Sequence, residues 1–285
     1  MPREIIAGLH DDEYEHPFDH QALRALEATP GLNTFITKLW EHVGENALRV
    51  LYTGNGVRVT PQNFPHIHEL FSEAREILNV NYEIDLYIQQ NPWINACTAG
   101  IEKPVIILNT QTVDALTDDE LLYIIGHEMG HIKSRHLLYK QTADILQVMG
   151  GVISEITFGL GDVVMTGLKV ALLHWSRMTE FTADRAGLLA CQDINVAAGA
   201  SMKIAGVPLK YMDQVNPRDF IKQARDFDAY DYQTMNRFIK MYVMYNPAFE
   251  MTHPWTVVRA AELMKWIEAG EYLDVMTRKT RMDQG

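Results

Sequence analysis

Two histidines four residues apart, with an acid beside the first, are the residues of this chain best placed to do chemistry. They are His127, Glu128 and His131, in the run LLYIIGHEMGHIKSRH over 121–136. On a helix, positions i and i+4 share a face with Cβ atoms roughly 5–6 Å apart, so both imidazoles can reach one ion. Glu128 then stands next to the first ligand, where it can touch a metal-bound water without itself binding the metal. Its place is that of a base. In a chain with 11 His and 37 acidic residues the pattern also arises by chance on an ordinary helix. A third ligand and a supporting shell are needed to decide between the two.

Both can be sought in SRMTEFTADRAGLLAC, residues 176–191. At helical spacing Glu180, Ala183, Asp184 and Gly187 share one face: a carboxylate, a second carboxylate one turn on, and two small residues that admit a close neighbour. That face suits docking against Gly126 and Gly130, each of which costs the motif helix about 1 kcal/mol relative to Ala. Glu180 would then complete a His, His, Glu set with the fourth position open, the arrangement expected of catalytic rather than structural zinc. Asp184 could accept the free ring N–H of a liganding histidine and fix its tautomer. By themselves Glu180 and Asp184 read better as a solvated acidic face with Arg177 and Arg185 as partners, and it is the pairing with the motif helix that favours the site. His136, five residues beyond His131, points off the ligand face and reads as a helix-end residue.

The elements that must hold these side chains can be read around them. Thr117 with Glu120 three residues on makes a capping box, Asp118 and Asp119 place negative charge in the first turn, and Leu121, Leu122, Ile124 and Ile125 follow, so a helix starts just upstream of the motif. Before it, YEIDLYIQQ (82–90) alternates as a half-buried strand, and PVIILN contains a continuously apolar, buried strand at 105–108. Asn95, Ala96, Cys97 and Thr98 read as an exposed edge strand, which could hold an extended peptide by backbone hydrogen bonds or be an ordinary sheet edge. LRVLYTGNGVRVT (48–60) reads as a β-hairpin turning at Gly54-Asn55-Gly56. Residues 65–78 read as a helix, and 18–42 as two short helices broken at Pro30-Gly31. His10, His16 and His20 share no ligand spacing and read as a solvated N-terminal segment.

The apolar, glycine-rich stretch from Asp144 to His174 is interrupted by Glu155, Asp162 and Lys169. Its longest uncharged run is about half of what a membrane span needs, so helices packed on the core are expected, with room for a shallow membrane contact but no transmembrane span. From about Asn195 the chain reads as helical, with Phe220, Phe227, Phe238 and Trp266 assigned to packing.

Composition limits the alternatives. The chain of 285 residues is 47% hydrophobic and 22% charged, enough for a substantial core. A net charge of -12 without a basic cluster argues against a nucleic-acid partner. The first residues hold no apolar signal run, and the two cysteines, Cys97 and Cys191, suggest neither a zinc knuckle nor a disulfide framework, so the cytoplasm is the expected location. Nothing in the composition bears on oligomeric state.

HEMGHIKSRH followed by SRMTEFTADRAG resembles the gluzincin metallopeptidases of the HtpX and CAAX prenyl protease type, whose pattern is HExxH followed by ExxxD on a second helix. NACTAG, PVIILN, LTDDEL and THPWTVVRAAEL resemble further segments of that family, from about Asn91 to Leu263. The resemblance implies one zinc ion held by His127, His131 and Glu180, with Glu128 as general base and Asp184 behind the ligands. The membrane spans of the integral members are absent, which favours a soluble, short branch. His253, with Arg259 one and a half turns later, is either a helix entry at His253-Pro254 or points into the cleft to steady an oxyanion or cover the resting metal. The expected fold is α+β and predominantly helical, a zincin-like catalytic core with a small mixed sheet beside the HExxH helix. One domain is expected, with an N-terminal helical arm (1–44), a catalytic core (45–194) and a helical C-terminal part (195–285). The expected activity is zinc-dependent endopeptidase cleavage of polypeptides. The alternative is a non-catalytic or latent, chaperone-like binding protein on the same scaffold.

Overall fold

The structure, a computed structural model, describes residues 3–148, 162–228 and 255–277. In chain order its elements are helices α1 (Pro17–Glu27), α2 (Leu32–Val43) and α3 (Glu45–Thr53), strand β1 (Gly56–Arg58), α4 (Pro65–Ile77), strands β2 (Asp85–Gln89), β3 (Ala96–Ala99) and β4 (Val105–Asn109), then α5 (Thr110–Ala115), α6 (Asp118–Lys133), α7 (Leu137–Val148), α8 (Asp162–Cys191), α9 (Ile194–Ile204), α10 (Pro217–Asp228), α11 (Thr256–Glu268) and α12 (Glu271–Met276). The fold is α+β and predominantly helical, with one small mixed sheet, as expected.

The sheet runs β1-β2-β4-β3, with β2 parallel to β4 and the outer two strands antiparallel to their neighbours. β4 is apolar from Val105 to Leu108 because both of its faces are covered. Ile106 and Leu108 face the main core with Leu86 and Ile88, while Val105 and Ile107 face a smaller cluster on the other side with Ala99 and Tyr52. Tyr52 belongs to α3, where a hairpin arm was expected. The reversal at 54–56 does occur and β1 pairs with β2, but the segment before it is helical. The outer sheet face needs a cover, and a helix carrying Tyr52 provides it while leaving Val50 and Leu51 exposed.

α6 forms with the expected capping box, in which the Thr117 hydroxyl receives Glu120 N–H and the Glu120 carboxylate receives Thr117 N–H. The same carboxylate takes a buried hydrogen bond of 2.6 Å from Lys203 on α9, and Lys203 also reaches the Ala115 carbonyl. The start of the motif helix is therefore pinned from two directions.

α6 lies close against α8. A Cβ placed on Gly126 would lie 2.4 Å from the Ala190 Cβ, and one on Gly130 would lie 2.7 Å from the Ala186 Cβ. Gly187, in turn, faces Tyr123, whose ring would sit 2.8 Å from an added Cβ. The small-residue face expected of 183–187 is the face that docks. Of the stretch 144–174, α7 and α8 pack on α1 and α2 through Leu146, Leu168, Leu172, Trp175, Leu26 and Phe35. Its centre, 149–161, lies outside the described residues. Among the described residues no helix is long and apolar enough to cross a membrane.

The N-terminal segment departs from the solvated reading. His10 and His20 are exposed, but Tyr14, His16 and Asp19 are buried. Arg185 donates to the carbonyls of Tyr14 and Glu15, and the Tyr14 hydroxyl meets Ser134 at 3.2 Å, so the arm is tied to both α8 and the end of α6.

A Gly126→Ala variant tests the close approach. Overpacking there is expected to cost about 1–3 kcal/mol in equilibrium unfolding. In an Ala190→Gly background, where the nearest methyl group is gone, the same change is expected to cost little or to stabilise.

Candidate metal centre

The three donors read from spacing converge. His127, His131 and Glu180 each offer a ligand atom within 4.8 Å of the others, and all three are buried. The Glu180 carboxylate lies between the rings, its Oε2 3.4 Å from His127 Nε2 and its Oε1 3.3 Å from His131 Nε2. The two imidazoles stand edge to face with centroids 5.0 Å apart. Both ring nitrogens that face Glu180 are Nε2. Two imidazoles and one carboxylate closing on a common point form a donor set that suits zinc. The residues present therefore fit a metal ion at this point.

Behind the donors, Asp184 receives three groups at once. His127 Nδ1 is 3.1 Å from its Oδ1, the Tyr123 hydroxyl donates to the same oxygen at 2.8 Å, and Arg259 donates through Nε and Nη2 at 2.8 and 2.6 Å. Burial would raise the Asp184 pKa, but the charge and hydrogen bonds of Arg259, with His127, hold it well below the usual carboxylate range. Glu180 is clasped as well: Lys140 donates to its Oε1 at 2.6 Å, and Arg259 Nη1 lies 3.5 Å from its Oε2. Burial opposes the charge on Lys140, yet Glu180 and Asp144 raise its pKa.

The two imidazoles differ. Burial disfavours charge on His127, but the hydrogen bonds and charges of Asp184 and Glu180 outweigh it and raise its pKa to about 9, against the opposing charge of Arg259. For His131, burial and Lys140 together push the pKa well below the ordinary imidazole value. Metal-free protein near neutral pH therefore carries a proton to be displaced on His127 and not on His131.

Glu128 follows His127 on the motif helix, and Thr98 of β3 donates its hydroxyl to Glu128 Oε2. Thr98 and Ala96 are buried on the α6 side of β3. The Thr98 hydroxyl holds the acid in place, because that face of β3 abuts α6. Cys97 faces the other side, where burial and Glu128 push its thiol up to about 12. The exposed Asn95 precedes the strand and exchanges backbone hydrogen bonds with the Thr112 hydroxyl. β3 is the terminal strand of the sheet.

Arg259 was expected beside substrate. Its guanidinium instead lies against Asp184 and Glu180, where two buried carboxylates draw it in. His253 lies outside the described residues. His136 adds no donor to the cluster, but its Nδ1 is 3.0 Å from His131 Nδ1, and its Nε2 is 3.0 Å from Asp19 Oδ2. Neither Asp19 nor Lys140 shares a helical spacing with the motif, so no sequence pattern pointed to them.

An HExxH helix crossed by an ExxxD helix beside a small mixed sheet defines a zincin-type peptidase. The chain belongs to peptidase family M48, whose family model matches residues 61–267. It is 34% identical over 283 residues to the plastoglobule-localized metallopeptidase 48, chloroplastic, of Arabidopsis thaliana, covering 99% of this chain and 80% of that one. It is also 26% identical over 203 residues to the protease HtpX homolog 2 of Methanosarcina mazei, covering 64% of this chain and 67% of that one. A protease HtpX homolog of Moorella thermoacetica is 25% identical over 205 residues, with the same coverages. No solved structure matches. The family is one of peptidases, and a metal-dependent one by the name of the Arabidopsis relative.

The raised pKa of His127 gives a pH test on metal-free protein. A group whose pKa is higher folded than unfolded stabilises the fold below its unfolded value, near 6.5, and loses that contribution as pH rises through about 9. Melting of chelator-treated protein is expected to weaken by a few kcal/mol across that window. Asp184→Asn is expected to flatten this dependence.

Proposed function

We propose that this chain is a zinc-dependent endopeptidase that hydrolyses peptide bonds of polypeptide substrates, with His127, His131 and Glu180 holding a single ion and Glu128 acting as general base. The observation that carries this reading is the placement of Glu128. Glu128 directly follows His127, the first of the three convergent donors, on α6, and its carboxylate is held by the hydroxyl of Thr98, on the strand where a substrate backbone would lie.

Bound zinc supplies Lewis acidity toward the scissile carbonyl and lowers the pKa of water to roughly 7. The remaining work belongs to the chain. Substrate adds to the outer edge of β3 as an extended strand, through backbone hydrogen bonds along Asn95, Ala96, Cys97 and Thr98. Since Thr98 turns its side chain to Glu128, side-chain selection falls to other walls of the cleft. Glu128 takes a proton from the attacking water as the new C–O bond forms, and delivers it to the leaving nitrogen as the C–N bond breaks, so that water and peptide become a carboxylic acid and an amine. Asp184 keeps His127 Nδ1 engaged and its Nε2 turned to Glu180. Arg259 ties Asp184 to Glu180. His253 remains the proposed donor to the oxyanion.

The address of the Arabidopsis relative, plastoglobule and chloroplast, is a property of that protein. For this chain the cytoplasm is proposed on its two cysteines, neither in a disulfide, and on the absence of a membrane-crossing helix among the described residues.

Glu128→Gln is expected to retain zinc and its melting temperature while cleavage of casein falls at least 100-fold. Casein cleavage by the unaltered protein is expected to be lost with a chelator and regained with zinc. Turnover that survives in the variant would refute the base assignment.

A further inference from the structure

His131 is the one candidate ligand whose ring does not meet a carboxylate directly on its far side. Its Nδ1 faces the Nδ1 of His136 at 3.0 Å. His136 Nε2 faces Asp19 Oδ2 at 3.0 Å, and that oxygen also receives the Thr182 hydroxyl at 2.7 Å. His131, His136, Asp19 and Thr182 are all buried, and Trp175 lies edge-on against the His136 ring with centroids 5.6 Å apart.

Only one assignment of protons satisfies this row when His131 presents Nε2 to an ion. His131 must then carry its hydrogen on Nδ1 and donate it to His136 Nδ1. His136 must carry its own hydrogen on Nε2 and donate it to Asp19. The carboxylate, being only an acceptor, ends the chain. His127 is supported by the same logic in a single step through Asp184.

We propose that the N-terminal arm is a working part of the metal centre: Asp19, acting through His136, fixes the tautomer and ring orientation of His131. Asp19 and His136 are positioning residues, since neither reaches the ion. Asp19 lies upstream of residues 61–267, the span that matches the family model, so the peptidase segment draws one support of its centre from outside itself. Besides the row itself, His16 caps α1 with its Nδ1, donates its backbone N–H to the Thr182 hydroxyl, and meets Glu262 at 3.3 Å, which sets Asp19 one turn further on against α8.

This inference rests on His127, His131 and Glu180 binding zinc, and its test separates the two claims. Four full-length proteins are compared: unaltered, His136→Phe, Asp19→Asn and Glu262→Gln. Phe keeps the packing on Trp175 and removes both hydrogen bonds. Asn keeps an oxygen for His136 but not its charge. Glu262→Gln weakens a different tie of the arm and serves as the control for mere loosening. Zinc affinity is read by competition with a chromophoric chelator, ligand geometry by the visible absorption of the cobalt-substituted protein, and folding by melting of the metal-free form. His136→Phe is expected to weaken zinc binding by about 10–100-fold and shift the cobalt bands, with Asp19→Asn intermediate and Glu262→Gln unchanged. Folded variants with unaltered zinc affinity and cobalt spectrum overturn the proposal, as does a Glu262→Gln effect equal to that of Asp19→Asn. Should the unaltered protein bind no zinc, the metal-site reading itself fails, and this inference with it.

Discussion

The depth to which α6 and α8 press together governs the rest of the structure. Gly126 and Gly130 give up about 1 kcal/mol each in helix propensity, and in return Ala183, Ala186, Gly187 and Ala190 come within van der Waals contact of the α6 backbone. Both helices repeat their small residues every three or four positions, so the contact runs as a strip rather than a point. His127 and His131 sit one position past the two glycines, and Glu180 and Asp184 sit within the same strip on α8. Once the small residues mesh, the imidazoles and carboxylates are brought opposite one another with no remaining freedom along the helix axis. A larger residue at any of these positions would separate the donors before it touched the chemistry.

The strip brings a second difficulty: it gathers charge in a buried place. Glu180 and Asp184 are buried, and a buried charge is tolerated only when paired and hydrogen-bonded. The partners come from far apart in the chain, Lys140 from α7 and Arg259 from α11, and both carry raised pKa values for that reason. Arg259 bridges the two carboxylates, which couples the outer shell to the candidate ligand itself. The proton on His127 belongs to the same balance, and a divalent cation arriving between the rings would take over its role.

What could be read from the sequence was what local spacing encodes. HExxH, ExxxD, the capping box at Thr117 and Glu120, and the glycines at 126 and 130 each declare a helix face within a few residues, and those faces meet as expected. The alternation of β2 and the unbroken apolar run of β4 were legible for the same reason. Failures occurred where tertiary context decided. The segment before Gly54 alternates like a strand, yet the outer sheet face needed a cover, and a helix with Tyr52 supplied it. Arg259 was assigned to substrate because nothing in its neighbours betrays Asp184, 75 residues away in sequence. Lys140 and Asp19 carry no motif at all.

The two imidazoles were legible together but are supported in different ways, and that difference bears on how the centre assembles. His127 obtains its carboxylate from α8, the helix that also supplies Glu180, so the docking of α6 on α8 completes that half in one event. His131 depends on His136, just past the end of α6, and on Asp19, far earlier in the chain on α1. Its half is complete only when the arm has closed over α8, with Arg185 holding the carbonyls of Tyr14 and Glu15 and Tyr14 meeting Ser134. The buried Asp19 carboxylate is held by His136 and by the Thr182 hydroxyl, and His136 is held between Asp19 and His131. The arm and the second imidazole therefore order one another, and the far end of the ligand set is coupled to a segment that the motif alone would not have included.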